Sequence, residues 1–319
     1  MSKKSAAALA PKATRLGKPG SWKRDFTKNK ALYFLAIPLI AYFLIFNYGP
    51  MFGLVMAFEN FKPARGIFGS QFVGFQNFID FFTSPNFFTV LRNTFVISAL
   101  GLFIGFPLSV GFALLINEIS VKWFKKSIQT ISYMPYFVST IVLCGLIIDF
   151  CSSRGLVTNL LVDLGVLERQ NLLQNPDYFW AINLISDQWQ GLGYGSIVFI
   201  AAITNVSNEL HEAAAIDGAN RFQRVWHITL PGIKPMVVTM LILKCGMLLS
   251  VGFDKILNLY NTSIYSTADV ISTYVQRVGL NGGQYGYATA VGLFNSVVNL
   301  ALLLIANYLS AKYAEQSLF

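Results

Sequence analysis

Hydrophobic residues fall in six long runs, separated by polar segments that carry most of the charge. Each run is close to the roughly 20 residues that a helix needs to cross the hydrocarbon core of a bilayer. Lipid offers the backbone no hydrogen-bond partners, so helices are the expected form and the fold class is an all-α polytopic membrane protein. The predicted spans are residues 31–58, 90–116, 127–149, 180–205, 236–257 and 285–311.

Prolines inside these runs predict kinks, because membrane helices tolerate proline. Pro38, Pro50 and Pro135 are of this kind. Between the first two runs, residues 59–89 place apolar side chains at helical spacing, which predicts either an amphipathic helix at the outer interface or a loop packed on neighbouring helices. Residues 118–126 predict a short inner turn, and residues 151–179 predict a second outer segment.

Composition supports the membrane assignment and orients the chain. The 319 residues are 54% hydrophobic and 12% charged, against about 25% charged in soluble domains. The net charge of +9 is explained by cations in cytoplasmic segments. Nine Lys and Arg against one acid make residues 1–30 a basic tail, predicted to be disordered, cytoplasmic and able to contact anionic lipid. The apolar run that follows is too long for a cleavable signal, and residues 312–319 form a second cytoplasmic tail.

The polar segment 206–235, between the fourth and fifth runs, predicts two short helices. Ser207 or Asn208 is a suitable N-cap, and the alanines that follow favour helix. Gly218 is suited to ending the first helix in a left-handed conformation. A second helix over 221–227 is expected to end at Pro231 and Pro235. This helical knob suits docking in a groove of another protein.

Seven positions of this segment resemble, at every fixed position, the cytoplasmic coupling loop (the EAA motif) of binding-protein-dependent ABC importer permeases. They are Glu212, Ala213, Ala214, Gly218, Ile228, Leu230 and Pro231. The runs 48–54, 73–78 and 129–139 resemble the LplB-like polysaccharide-importer subgroup. Alginate importers are among the relatives that this resemblance suggests.

The resemblance implies a type I importer fold with six transmembrane helices, both termini cytoplasmic, in the bacterial inner membrane. The implied partners are a second homologous permease, two cytosolic ATPase subunits and an extracytoplasmic binding protein that delivers oligo- or polysaccharide. Glu212 then becomes the candidate for a charge-assisted contact with the ATPase. The alternative for Glu212 is stabilisation of its own helix N-terminus alone.

No catalytic or cofactor site is expected. The sequence has no Gly-x-x-x-x-Gly-Lys-Ser/Thr loop, so ATP and Mg are expected on the partner ATPases. Cys144, Cys151 and Cys245, with His211 and His227, make no zinc pattern. The alternative function is an ion-driven secondary sugar transporter. It would need buried acids, and the spans offer Asp187 and, near their ends, Asp149 or Asp254.

Candidate substrate residues share one face of the fourth span. Asp187, Gln190, Gly191 and Tyr194 follow i, i+3, i+4, i+7 spacing. Polar groups in lipid are costly, so this face should line a cavity or meet a partner. Related maltose-type permeases place sugar contacts at corresponding positions. Asp187 and Gln190 would bind hydroxyls, Tyr194 or Trp189 would stack on a pyranose, and Gly191 would allow close approach. The alternative is hydrogen bonding between helices across the permease dimer.

Four further residues complete the substrate prediction. Ser139 and Tyr136 on the third span and Gly252 on the fifth are weaker candidates. Lys244 lies about 15 Å along its helix from Lys234, near the middle of the bilayer core. Three roles stay open for Lys244: attraction of an acidic sugar such as a uronate, pairing with an acid on the partner permease, or extension towards the cytoplasm. Asp187 lies nearer the outer face, so a pair with Lys244 is not expected.

Overall fold

A computed structural model describes residue 26 and residues 29–314. Most of the predicted basic tail at 1–30, and the end of the predicted tail at 312–319, lie outside these described residues. The chain divides into two compact units, residues 1–53 and 54–319. The exact domain boundaries drawn from the sequence stay a prediction.

The first unit is helical throughout its described main segment. Helix α1 (Lys30–Phe43) contains Pro38 and continues through a π turn (Leu44–Tyr48) into α2 (Gly49–Met51). None of the side chains of these elements is buried within the described structure. Apolar side chains on all faces of a helix are typical of a segment surrounded by lipid or by other membrane helices.

The second unit opens with a small two-stranded motif. A 3-10 helix (Phe52–Phe58), which begins in the last two residues of the first unit, leads into strand β1 (Glu59–Asn60), which pairs antiparallel with β2 (Gln71–Phe72). Helix α3 (Gly66–Gly69) lies between the strands, and α4 (Gln76–Thr83) follows them. Two structures were predicted for residues 59–89, an amphipathic helix and a packed loop. The main helix observed in this range is α4, which has eight residues and buries Phe81.

The rest of the second unit is helical. Its α-helices are α5 (Phe87–Leu100), α6 (Phe106–Asn117), α7 (Lys122–Tyr133), α8 (Thr140–Cys151), α9 (Leu156–Asp163), α10 (Pro176–Ile203), α11 (Asn208–Ile216), α12 (Arg221–Arg224), α13 (Leu230–Cys245), α14 (Phe253–Leu259), α15 (Tyr265–Ala268), α16 (Ile271–Val275) and α17 (Tyr285–Ala314). π turns join α5 to α6 and α12 to α13.

Five helical stretches of the described chain are long and apolar enough to cross a membrane. They are Lys30–Phe58, Phe87–Asn117, Thr140–Asp163, Arg221–Cys245 and Tyr285–Tyr313. The predicted fourth span corresponds to α10, a helix of 28 residues that is not among the five. The structure thus supports a multi-pass, all-helical membrane protein, without confirming the count of six spans.

The prediction of one third span over 127–149, kinked at Pro135, is wrong, because the helix ends there and a new one begins. Helix α7 already begins at Lys122, inside the predicted inner turn, and ends at Tyr133. A 3-10 turn (Met134–Phe137) then interrupts the path, and Ser139 caps α8 by accepting a hydrogen bond from the backbone N–H of Val142 at 3.4 Å. Pro135 has no backbone N–H to donate. The break places it in the first turn of the 3-10 segment, where the backbone N–H groups have no partner within the helix.

The predicted ends of the second coupling-loop helix and of the fifth span are also wrong. Helix continues from Arg221 past both Pro231 and Pro235 to Cys245. The π turn Val225–Thr229 precedes Pro231 and widens the backbone where its ring would otherwise meet the preceding turn. After Cys245 the chain leaves the helix until α14 begins at Phe253, whereas the sequence predicts one span over 236–257.

The long helix α10 is the centre of the second unit. Near its C-terminal end, Phe199 and Ile203 pack with Val110, Ala113 and Ile233 from α6 and α13. Near its middle, Gly193 lets the backbone of Ser132 in α7 approach closely, because a Cβ at Gly193 would lie 2.1 Å from the Ser132 carbonyl oxygen. Close packing on several helices fixes the direction of the α10 face that carries the candidate substrate residues.

Candidate functional site

A cavity of about 600 Å³ lies within the second unit, between three stretches of chain. Its walls come from residues 97–109 of α5 and α6, residues 187–199 of α10, and residues 240–252 of α13 and the segment that follows it. Apolar side chains form most of the surface, and a few polar groups converge on it. This composition is typical of small-molecule sites, in which the polar groups orient the ligand.

Five of the nine predicted substrate residues line this cavity. They are Asp187, Gly191, Tyr194, Lys244 and Gly252. Ser98, Ser109, Gln188 and Ser250 contribute further polar groups that the sequence prediction did not include. Ser98, Ser109 and Lys244 come from α5, α6 and α13, and Ser250 and Gly252 come from the segment after α13, so only tertiary packing brings them to the same space as α10.

Asp187 is already engaged by protein groups. Its Oδ1 accepts a hydrogen bond from the Lys255 Nζ at 2.7 Å, and its Oδ2 accepts one from the Asn183 Nδ2 at 3.0 Å. The same Lys255 amine donates to the backbone carbonyl of Asn183 at 2.9 Å. Asp187 is therefore the counter-ion of a neighbouring cation as well as a cavity-lining residue.

Lys255 is the residue that sequence reasoning missed. Its side chain is only 8% exposed, and the sequence analysis gave it no role. The available signal was its position, two residues before the end of the predicted fifth span and directly before Ile256 and Leu257. A charge with such neighbours requires a partner, since an unpaired buried charge is strongly unfavourable. The sequence could not show that the partner is Asp187.

Lys244 differs from Lys255 in having no counter-ion. It lines the cavity and forms no ion pair with any residue between 29 and 314. The Asp187 and Lys255 charges neutralise each other, so the local charge of this cavity is positive. The predicted absence of an Asp187–Lys244 pair agrees with the geometry.

The other four predicted substrate residues lie away from the cavity surface. Gln190 donates from Nε2 to the backbone carbonyl of Val138 at 3.1 Å, and Ser139 serves as the α8 cap. Tyr136 stacks on Tyr194, and the Trp189 side chain is exposed on another part of α10. Residues predicted to share one face of α10 therefore have different contacts: Gln190 bonds to the backbone and Tyr194 lines the cavity. Their roles in substrate binding stay predictions.

The predicted coupling loop consists of the short helix α11 and the first turns of the helical stretch that runs from Arg221 to Cys245. Ser207 caps α11, accepting a hydrogen bond from the backbone N–H of Glu209 at 3.2 Å. Gly218 ends the turn with a φ of +81°, a left-handed conformation that glycine adopts without a Cβ clash. Glu212 is exposed and forms no ion pair within the described chain.

The start of the second helix is fixed by a reciprocal cap. Asn220 Oδ1 accepts from the Gln223 backbone N–H at 2.9 Å, and Gln223 Oε1 accepts from the Asn220 backbone N–H at 2.8 Å. A concavity of about 370 Å³ lies between the two helices. Large apolar side chains around the loop are exposed, among them Ile216 (87%), Phe222 (74%) and Trp226 (58%). Exposed apolar groups at this density are typical of an interaction surface.

The motif positions divide between surface and packing roles. Ala213 is exposed, Ala214 is half-buried, and Ala214 and Ile228 both line the concavity. Leu230 packs on the cluster at the C-terminal end of α10, and Pro231 follows it in the first turn of α13. The C-terminal end of the loop is thus attached to the helix bundle through Leu230.

The family model described as "Binding-protein-dependent transport system inner membrane component" matches residues 105–315, more than half of the chain. The chain belongs to this family. The predicted resemblance to binding-protein-dependent ABC importer permeases is confirmed, and the chain is a transport subunit of such a system. The matched range includes both the coupling loop and α10 to α17.

Two relatives align with nearly the full length of this chain. Protein LplB of Bacillus subtilis (strain 168) is 41% identical over 304 residues, which is 95% of each chain. The polygalacturonan/rhamnogalacturonan transport system permease protein YteP of the same organism is 41% identical over 293 residues, covering 92% of this chain and 91% of YteP. The predicted LplB-like subgroup is therefore confirmed.

Two solved structures match the permease in fold and sequence. One is the crystal structure of a bacterial ABC transporter involved in the import of the acidic polysaccharide alginate. Its matching chain is 41% identical with a TM-score of 0.84, covering 91% of this chain and 98% of that chain. The other is a bacterial alginate ABC transporter in complex with an alginate pentasaccharide-bound periplasmic protein. There the identity is 40% and the TM-score 0.85, covering 93% of this chain and 99% of that chain.

Proposed function

We propose that this chain is one of two permease subunits of an ATP-driven importer that carries acidic oligosaccharides into the cytoplasm. The observation that carries the proposal is Lys244, a cavity-lining cation with no counter-ion in the described chain. A uronate carboxylate entering the cavity would supply that counter-ion. The similarity to an alginate importer and to a permease named for polygalacturonan supports the same substrate class.

We infer six transmembrane spans with both termini in the cytoplasm of a bacterial inner membrane. Helix α10, the predicted fourth span, would add one span to the five apolar stretches. Its 28 residues extend about 42 Å, more than the roughly 30 Å hydrocarbon core. Its polar residues lower its hydropathy, and the cavity accommodates part of that polar surface away from lipid. The basic residues before α1 favour the inner side for the N-terminus.

The energy source in this proposal is a pair of cytosolic ATPase subunits. Each would receive the coupling loop of one permease, with Glu212 near a basic group and exposed Ile216 and Phe222 in an apolar groove. Closure of the ATPases on ATP would move the loop together with α10 and α13, which flank it in sequence. The cavity would then open alternately to the two sides of the membrane.

The second permease and the external binding protein complete the importer. In this chain the proposed substrate contacts come from α5, α6, α10 and α13, and a homologous partner would close the other side of the path. The ion-driven alternative is not favoured, because the relatives are permeases of ABC transport systems.

The test is uptake by the whole importer in proteoliposomes: this permease, its partner permease, the ATPases and the loaded binding protein. The substrates are an alginate pentasaccharide and a neutral gluco-oligosaccharide of equal length. We expect uptake of the acidic sugar that requires internal ATP and persists when ionophores collapse ion gradients. Uptake driven by an ion gradient without ATP, or transport of the neutral sugar alone, would overturn the proposal.

A further inference from the structure

The cavity wall contains a stretch of chain that is not helical. Residues 246–252 separate α13 from α14, and five of them line the cavity: Met247, Leu248, Ser250, Val251 and Gly252. Non-helical backbone at membrane depth is tolerated where it lines a cavity or is buried in protein. The segment 246–252 is called the wall segment below.

Two hydrogen bonds with Asn299 attach the middle of the wall segment to α17. Such an attachment of the wall segment to a neighbouring helix is called a clamp. The Asn299 Oδ1 accepts a hydrogen bond from the Leu249 backbone N–H at 2.9 Å, and its Nδ2 donates to the Ser250 Oγ at 3.0 Å. Asn299 is buried, so these bonds are shielded from solvent. The bonds replace some of those that the backbone loses on leaving the helix.

A second clamp holds the far end of the wall segment on α10. Lys255, three residues beyond Gly252, reaches Asp187 and the Asn183 carbonyl. The Cys144 thiol of α8 donates to the Lys255 carbonyl at 3.6 Å. Since Lys255 has almost no exposed surface, its position depends on these partners.

The two ends of the wall segment therefore connect to the two helices that flank the coupling loop. Its near end is the C-terminus of α13, and the Asp187–Lys255 pair ties its far end to α10. The wall segment thus connects α13 to α10 through the backbone at one end and the ion pair at the other. Lys244, two residues before the wall segment, is positioned by the same backbone.

We propose that Asp187 is a positioning residue: its ion pair with Lys255 clamps the wall segment, while Lys244 supplies the charge that recognises acidic sugar. This inference rests on the proposed function. It assigns Asp187 first to the protein rather than to a sugar hydroxyl, because its carboxylate is the counter-ion of the buried Lys255 amine and also accepts a hydrogen bond from Asn183.

The test compares Asp187→Asn, Lys255→Gln and the double variant Asp187→Asn/Lys255→Gln in the whole importer. Each single variant leaves one uncompensated group, so transport of alginate pentasaccharide should fall at least about 10-fold. The double variant keeps a neutral hydrogen-bonding pair and should recover to within about 3-fold of the original rate. Preference for acidic over neutral sugar should persist in it, because Lys244 is unchanged.

Two outcomes would overturn the clamp. Normal transport by Asp187→Asn would show that the pair is unnecessary, and a double variant as slow as Asp187→Asn would place the carboxylate itself on the substrate. Thermal midpoints of the purified importer provide a measurement that needs no substrate: the double variant should be more stable than the single variants predict by addition. If the original importer carries no acidic sugar, the proposed function fails, while the stability comparison still tests the clamp.

Discussion

The aromatic rings of Tyr136 and Tyr194 lie parallel, with centroids 3.7 Å apart and 3° between their planes. Both tyrosines were candidate substrate residues, Tyr194 for stacking on a sugar ring, yet each ring already covers one face of the other. Tyr136 belongs to the 3-10 turn that interrupts the predicted third span, and Tyr194 belongs to α10. The stack thus joins the interruption to the helix that lines the cavity.

Replacement of Tyr136 by alanine should destabilise the importer by about 0.5–1.5 kcal/mol beyond the loss of buried area. Tyr136→Phe keeps the stacked ring and should be nearly neutral. Thermal midpoints of the purified complex measure both variants. Equal midpoints for Tyr136→Ala and Tyr136→Phe would mean that the stack adds nothing to stability.

Replacement of Lys244 by methionine should selectively reduce uptake of acidic oligosaccharide, because the cavity loses a cation that lacks a counter-ion. A loss of 10-fold or more corresponds to about 1.4 kcal/mol of binding or transition-state energy. Lys244→Arg preserves the charge and is the matched control. If Lys244→Met reduces uptake of acidic and neutral sugars equally, pairing with an acid of the partner permease becomes the better explanation.

Replacement of Glu212 by alanine should lower sugar transport per ATP hydrolysed, since the proposed contact with the ATPase is lost. Glu209→Ala removes the same charge from the first turn of the same helix and serves as the control. The ratio of uptake to phosphate release in proteoliposomes is the measurement. Should the two variants behave alike, Glu212 acts only through the electrostatics of its helix N-terminus.

Gly218 tests the shape of the coupling loop. A valine there must adopt a positive φ, which costs roughly 1–2 kcal/mol or more for a residue with a Cβ, whereas asparagine tolerates that conformation better. Gly218→Val should therefore impair assembly with the ATPases more than Gly218→Asn does. Co-purification of the ATPase subunits with the permease measures the difference, and equal assembly would argue against a shape requirement.

Gly193 tests the crossing of α10 and α7. Its substitution by alanine places a Cβ against backbone atoms of Ser132. We expect the two helices to move apart, which should lower the free energy of unfolding by about 1–3 kcal/mol. Gly111→Ala is the control, since a Cβ there meets no atom within 4 Å. We expect a lower thermal midpoint for Gly193→Ala only. An unchanged midpoint would show that the helices can separate at little energetic cost.

The sequence by itself determined the class of protein and the position of the coupling loop. In lipid, long apolar runs must form helices, because only a helix satisfies all the backbone hydrogen bonds within one segment. This conclusion does not depend on tertiary contacts. The Ser207 cap and the left-handed Gly218 were also predictable, because capping and turn conformation depend on neighbours close in sequence.

Only the tertiary structure decided the helix breaks and the partners of the charges. The continuation through Pro231 and the loss of helix after Cys245 depend on a π turn and on Asn299 in a distant helix. Lys255 and Asp187 are 68 residues apart in sequence, so no local pattern pairs them. Electrostatic and packing energies depend on distance in space, which the order of residues alone does not specify.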